Sequence, residues 1–197
     1  GLFNKGEAIR MAMNIGAAGK GQFDAFHAET VDPRSKREEA GVMLFPYAIL
    51  VNKQGKRFTD EGVTTIDEQY EEVARKIFYE CEDHIAYMIT DQKMYDIPNY
   101  EEALQTDIPA IVGETIEDIA AQIGVNVENL KHTVNEFNAA CPTGEFIYSR
   151  VDGLATTGLA LNKSNWSIPI NKGPFIAYPI ICCNVFKLER NKNKTAT

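Results

Sequence analysis

Two short apolar runs, Tyr47–Val51 and His84–Thr90, most constrain what this chain can fold into. Each is strand length, and turn or charged residues bound them, so both predict buried β-strands. After the first run, Asn52-Lys-Gln-Gly55 has turn chemistry and Arg57-Phe58-Thr59 returns. That pattern predicts a β-hairpin whose positive φ falls on Gly55. Helical spacing lies around these runs. Ile9, Ala12, Met13 and Ala17 recur within residues 7–18, and Tyr70, Val73, Ala74 and Ile77 follow a helix start at Thr65 or Asp67. Thr115-Ile-Glu-Asp118 reads as a capping box, and the helix it opens stops at Gly124. Asn126 caps a further helix carrying Val127, Leu130, Val134 and Phe137 on one face. Residues 91–109 read as irregular, with a short helix at Tyr100–Leu104. Beyond Pro142 the chain is rich in Gly, Pro and aromatics, which predicts extended segments wrapping a surface without a core of their own. Lys187 to Thr197 reads as a frayed tail. The sum is an α+β fold.

Composition narrows the function classes. The 197 residues are 44% hydrophobic, enough for one sizeable core without staples. Twenty basic against 28 acidic residues give a net charge of −8, which argues against a nucleic-acid or anionic-membrane binder. No apolar run approaches the ~18 residues of a membrane span. Cys81, Cys141, Cys182 and Cys183 match neither a zinc spacing nor a disulfide framework, so reduced, packed thiols and a cytoplasmic setting are expected. His27, His84 and His132 are too far apart in sequence for a local metal motif, and no metal site is expected. Phosphate-loop, dinucleotide, zinc-protease and serine-elbow motifs are all absent from the sequence.

Three stretches carry a resemblance. Lys5-Gly-Glu-Ala-Ile-Arg-Met-Ala-Met-Asn-Ile-Gly-Ala17, followed by Phe26-His27, is similar to a Thr-Gly-Asp-Gly-x-x-Met-Ala-x-x-x-Gly-Ala motif. Pro46-Tyr-Ala-Ile-Leu-Val-Asn52 with Gly55-Lys-Arg-Phe-Thr-Asp-Glu61 resembles a widely shared hairpin. Lys163-Ser-Asn-Trp166 with Pro174-Phe-Ile-Ala-Tyr-Pro179 completes the set. All three resemble the fumarate reductase and succinate dehydrogenase flavoproteins, and the third looks like the tricarballylate dehydrogenase branch. The resemblance implies a capping domain (residues 31–170) between the tail of a first FAD-binding segment (1–30) and a return segment with a disordered tail (171–197). It implies a fragment, with the dinucleotide fingerprint upstream and the rest of the FAD-binding domain downstream.

The same resemblance points to site residues, each with a plainer reading beside it. Gly6 and Glu7 fall where the family approaches its flavin; Glu7 equally suits a helix N-terminus. His27 matches a histidine that donates to a substrate carboxylate, or is a histidine satisfied by backbone at a domain edge. Tyr70 coincides with a tyrosine that can serve as acid or base, or is a core or helix-surface residue. Lys163, Ser164, Asn165 and Trp166 suit a lid over a di- or tricarboxylate, or a turn in which Trp166 plugs a core edge. Arg57 and Glu61 are expected to pair with each other or with the adjoining domain. Ile66 stands where fumarate reductases follow two threonines with a catalytic arginine, so arginine-dependent fumarate reduction is expected only if Arg57 or Arg75 takes its place in space.

The implied function is part of an FAD-dependent dehydrogenase of a small polycarboxylate such as tricarballylate, the cap closing over substrate at the flavin. A fumarate reductase-like or ketosteroid dehydrogenase-like flavoenzyme, or an inactive binding or assembly module, is the alternative. The isolated chain is expected to be folded in its middle, to hold no FAD tightly, and to expose apolar surface at residues 7–18 that invites docking of the missing FAD-binding portion or dimerisation.

Overall fold

The computed structural model describes residues 5–21, 26–37, 40–186 and 190–192. The chain runs α1 (Glu7–Asn14), β1 (Ala18–Lys20), β2 (His27–Val31), β3 (Ile49–Val51), α2 (Ile66–Glu80), β4 (Ile85–Asp91), β5 (Ile111–Gly113), α3 (Ile116–Ile123), α4 (Val127–Ala140), β6 (Phe175–Phe186) and β7 (Arg190–Lys192). Five strands form one antiparallel sheet, four in the order β2-β6-β4-β3 and the fifth, β5, paired to β6 off that path. The long strand β6 organises it. One edge of β6 pairs with β4 from Ile85↔Ile181 to Asp91↔Phe175. The other edge is divided, β5 taking Phe175 to Ala177 and β2 taking Ile181 onward. β1 and β7 form a separate two-stranded ribbon.

The two faces of the sheet follow from strand alternation. Leu50, Ala86, Met88, Ile176, Tyr178 and Ile180 point to the side where α2 packs through Val73 and Ile77. Ile49, Val51, Tyr87, Ile89 and Ala177 point to the opposite side, against Ile119 of α3 and Leu130, Val134 and Phe137 of α4. Each fully buried aliphatic side chain contributes about 1.5–3 kcal/mol of hydrophobic stabilisation, so both layers are needed.

The helix ends obey the sequence. Thr115 Oγ1 accepts from the Asp118 N–H at 3.0 Å while Asp118 accepts from the Thr115 N–H at 3.0 Å, a complete capping box. Asn126 accepts from the Asn129 N–H at 2.9 Å and starts α4. Thr65 precedes α2 in extended conformation but makes no side-chain cap. In the hairpin, Gly55 takes φ 73°, and a Cβ there would lie 2.8 Å from the Leu130 nitrogen. Gly55 thus serves the turn and the approach of α4 together.

Three expectations change. Residues 57–59 do not return as a strand: the bridge Val51↔Arg57 stands alone, because Arg57 turns into a buried ion pair. The region after Pro142 is not merely a wrapping segment. Residues 142–174 are irregular, but β6 is the central strand, its apolar residues contributing to both core layers. The last residues include β7, while residues 187–189 and 193–197 lie outside the described part.

Candidate functional site

The sequence-predicted residues fall into three places. His27 opens β2 at the sheet end nearest the β1–β7 ribbon in the chain, and α2 lies against β2. Tyr70, Glu71 and Arg75 project from α2. The Tyr70 hydroxyl is 3.1 Å from His27 Nε2, and the two rings meet edge to face with centroids 5.5 Å apart. His27 Nδ1 lies 3.3 Å from Glu71 Oε2, and Glu29 Oε1 is 4.0 Å from Nε2. Glu71 also pairs with Arg75 one helical turn on, and Arg75 Nη2 donates to the Phe26 carbonyl at 2.8 Å. The structure therefore brings His27 and Tyr70, 43 positions apart, into one polar cluster.

The cluster is partly open to solvent: His27 is 16% exposed and Arg75 37%. Desolvation raises the Tyr70 phenol above its ordinary value, and the Glu29, Glu71 and Asp67 carboxylates push the same way. Tyr70 thus stays protonated at neutral pH and acts as a donor rather than a base. With Nδ1 donating to Glu71, a neutral His27 accepts from Tyr70 at Nε2; a protonated one presents two donors. Only the protonated ring, with a donor on each nitrogen, suits an incoming carboxylate.

The Lys163–Trp166 block is built differently. Lys163 is 1% exposed, and its Nζ donates to the Ala48 carbonyl at 2.6 Å. Burial pulls its ammonium down to about 8, opposed by Glu61. Asn165 donates to the Gly62 carbonyl and accepts from the Gly153 N–H, both at 2.8 Å. Trp166 is buried, donating from Nε1 to the Ile147 carbonyl at 2.9 Å, and holds a left-handed φ of 53°. Ser164 is exposed, with its hydroxyl 2.6 Å and its N–H 3.1 Å from the Asp60 carboxylate. The block braces residues 60–62. Glu61 and the Thr64 carbonyl in turn receive the Gln69 amide, one residue before Tyr70.

Arg57 and Glu61 do pair, with Nε 3.0 Å and Nη2 2.5 Å from the carboxylate; the side chains are 6% and 0% exposed. Arg57 is consumed there, further anchored to the Leu161 carbonyl at 2.7 Å. A groove of about 370 Å³ beside α4, lined in part by Lys56, Arg57, His132 and Glu136, contains none of the predicted site residues.

Gly6 and Glu7 begin α1, Gly6 with φ 76° and Glu7 accepting from the Lys5 N–H at 2.9 Å. A Cβ at Gly6 would meet nothing within 4 Å, and α1 has no buried residue.

Sequence reasoning missed Glu71 as the residue joining His27 to Arg75. Its signal was present: Glu71 and Arg75 stand four apart on a helix, the spacing of an ion pair. Among the described residues no cluster of three potential metal ligands occurs, and no helix is long and apolar enough to cross a membrane. Cys81, Cys141 and Cys182 are free thiols.

No family profile matches the chain. It is 32% identical over 158 residues to 4-oxocyclohexanecarboxylate 2-dehydrogenase of Sinomonas cyclohexanicum, covering 72% of this chain and 27% of that protein. It is 27% identical over 154 residues to NADH:acrylate oxidoreductase of Vibrio harveyi, covering 75% of this chain and 13% of that one. The chain thus spans about a quarter or less of these relatives' lengths. In fold it is similar to the open conformation of a flavocytochrome c3 fumarate reductase, with a TM-score of 0.64 at 23% identity, over 93% of this chain and 29% of that one. The chain is thus similar in sequence to part of two larger oxidoreductases, and it shares its α+β fold with a flavocytochrome c3 fumarate reductase.

Proposed function

We propose that this chain is the substrate-covering portion of an FAD-dependent oxidoreductase that acts on a small carboxylic acid, with His27 and Tyr70 receiving a substrate carboxylate. The observation that carries the reading is the 3.1 Å contact between His27 and Tyr70 at a half-open edge of the sheet. With the ring protonated, imidazole and phenol offer directed donors there, and Tyr70 keeps its proton. When bound, the flavin supplies the redox chemistry. The chain's own residues bind and orient the acid and keep water from it. In the Lys163–Trp166 block, Ser164 is the member at the surface, with Lys163, Asn165 and Trp166 holding its position. Gly6 and Glu7 lie toward the flavin in this reading.

The division into residues 1–30, 31–170 and 171–197 belongs to the same proposal. It is supported by α1, which has no buried side chain, and by the ribbon of β1 and β7 outside the main sheet; β2 and β6 tie the pieces together. Met11, Met13 and Ile15 are exposed apolar residues on or just after α1, and they favour docking of the remaining FAD-binding portion, with a second copy as the competing occupant. The substrate is a di- or tricarboxylate such as tricarballylate. The sequence relationship to a protein named for a ring keto-acid favours one second reading, a cyclic monocarboxylate.

Calorimetric titration of the purified protein with tricarballylate, fumarate and 4-oxocyclohexanecarboxylate tests this. Saturable binding of at least one acid, weakened by His27→Gln, is expected. Folded protein that binds none of them, or binds them equally well without His27, overturns the proposal.

A further inference from the structure

We infer that Arg75 is a second carboxylate-recognition residue and that Glu71 is an internal carboxylate occupying its place until an acid with more than one carboxylate arrives. The inference rests on the reading of His27 and Tyr70 as the first carboxylate site.

The geometry is that of a bridged pair of donors. Glu71 places one carboxylate oxygen 3.3 Å from His27 Nδ1 and the other on Arg75 Nη2. A bound carboxylate between an imidazole and a guanidinium would make the same two contacts. Arg75 is fixed by its bond to the Phe26 carbonyl, with its guanidinium carbon 5.8 Å from the centroid of the Phe26 ring. Its Nε and Nη1 donors have no hydrogen-bond partner among the described residues, and the side chain is 37% exposed. Arg75 therefore has donors to spare, beside the imidazole that takes the first carboxylate.

The other arginine raised by the sequence cannot fill this role. Arg57 is locked to Glu61 in the interior, and Ile66 at the head of α2 has no donor. Arg75 follows Ile66 by nine positions on the same helix, and Glu71 holds it on the side of α2 that meets β2. Glu71 is 32% exposed, so leaving Arg75 for solvent costs it little, whereas a deeply buried carboxylate could not be displaced. A multiply charged acid can pay that cost through its second carboxylate; a monocarboxylate, already satisfied at His27 and Tyr70, has no need to.

The experiment is calorimetry of the native protein and its Arg75→Gln, Arg75→Lys, Glu71→Gln and His27→Gln variants, with tricarballylate and cyclohexanecarboxylate as probes. Arg75→Gln should weaken tricarballylate about tenfold but cyclohexanecarboxylate less than about threefold, the loss of one charge-assisted contact. Arg75→Lys should recover part of the difference. Glu71→Gln keeps an acceptor for His27 but releases the guanidinium, and should bind tricarballylate tighter by about threefold or more. Equal weakening of both acids by Arg75→Gln, or Glu71→Gln binding tricarballylate no tighter than native, overturns the inference. If only His27→Gln weakens binding, the role of Arg75 falls while the first carboxylate site stands. If the native protein binds neither acid, both fall.

Discussion

The hydroxyl of Tyr70 and Nε2 of His27 lie 3.1 Å apart, joining the first turns of α2 to the first residue of β2. Removing that hydroxyl alone is the mildest test of the contact. Tyr70→Phe keeps the ring that packs on the core and loses one hydrogen bond, worth about 0.5–1.5 kcal/mol. Carboxylate binding measured by calorimetry should weaken correspondingly, while the thermal midpoint of unfolding shifts little. A variant that unfolds early with unaltered binding would show that the hydroxyl is only structural.

Lys163 gives a pH dependence of defined sign. Its folded value of about 8 lies below the ordinary 10.5 because burial disfavours the ammonium. Between those values the unfolded chain holds a proton that the folded chain has released, so this group makes stability rise with pH across that window. Below about 8 both states are protonated and the contribution is constant. Urea unfolding of native protein and Lys163→Met at pH 7.5, 9 and 10.5, approximate points spanning that window, should show the native protein gaining on the variant as pH increases. A flat difference refutes the assignment.

The Arg57–Glu61 pair should be far more costly to halve than to replace. Glu61→Leu alone leaves a guanidinium buried without its carboxylate, a loss of about 3–5 kcal/mol. Arg57→Met together with Glu61→Leu should lose much less than the sum of the single variants, measured as a double-mutant cycle in urea. Additive losses would mean that the two charges do not depend on each other.

Gly62 meets the Lys163–Trp166 block backbone to backbone. A Cβ there would lie 2.4 Å from the Asn165 carbonyl oxygen, so Gly62→Ala should push the block away from residues 60–62. Trp166 is the single tryptophan and is buried, and its fluorescence reports the displacement directly. The emission of Gly62→Ala should shift to the red under native conditions. Unchanged emission would show that the contact accommodates a methyl group.

Much of the fold was legible because local chemistry decided it. The capping box at Thr115 and Asp118, the Asn126 cap and the turn at Gly55 each bind their own neighbours, so spacing alone exposes them. The extended character of the region after Pro142 was legible, but the central place of β6 was not. Phe175–Phe186 contains Pro179 and two adjacent cysteines, and its strand character comes from neighbours 70 or more positions away in β4 and β2. The site shows the same split. His27 and Tyr70 were recognisable one by one through resemblance, but their contact is set by the packing of α2 on β2. The inward turn of Lys163 and Trp166 was hidden, since a cation and a flat ring within four residues serve a lid and a brace equally well.

The place of β6 governs how such a chain must emerge from the ribosome. β2, β4 and β5 all pair with a strand that begins only at Phe175, and among the described residues β3 with β4 is the one strand pairing of the main sheet that does not need it. β2, β4 and β5 therefore leave the exit tunnel with unsatisfied strand edges, and closure of the main sheet waits for Phe175–Phe186.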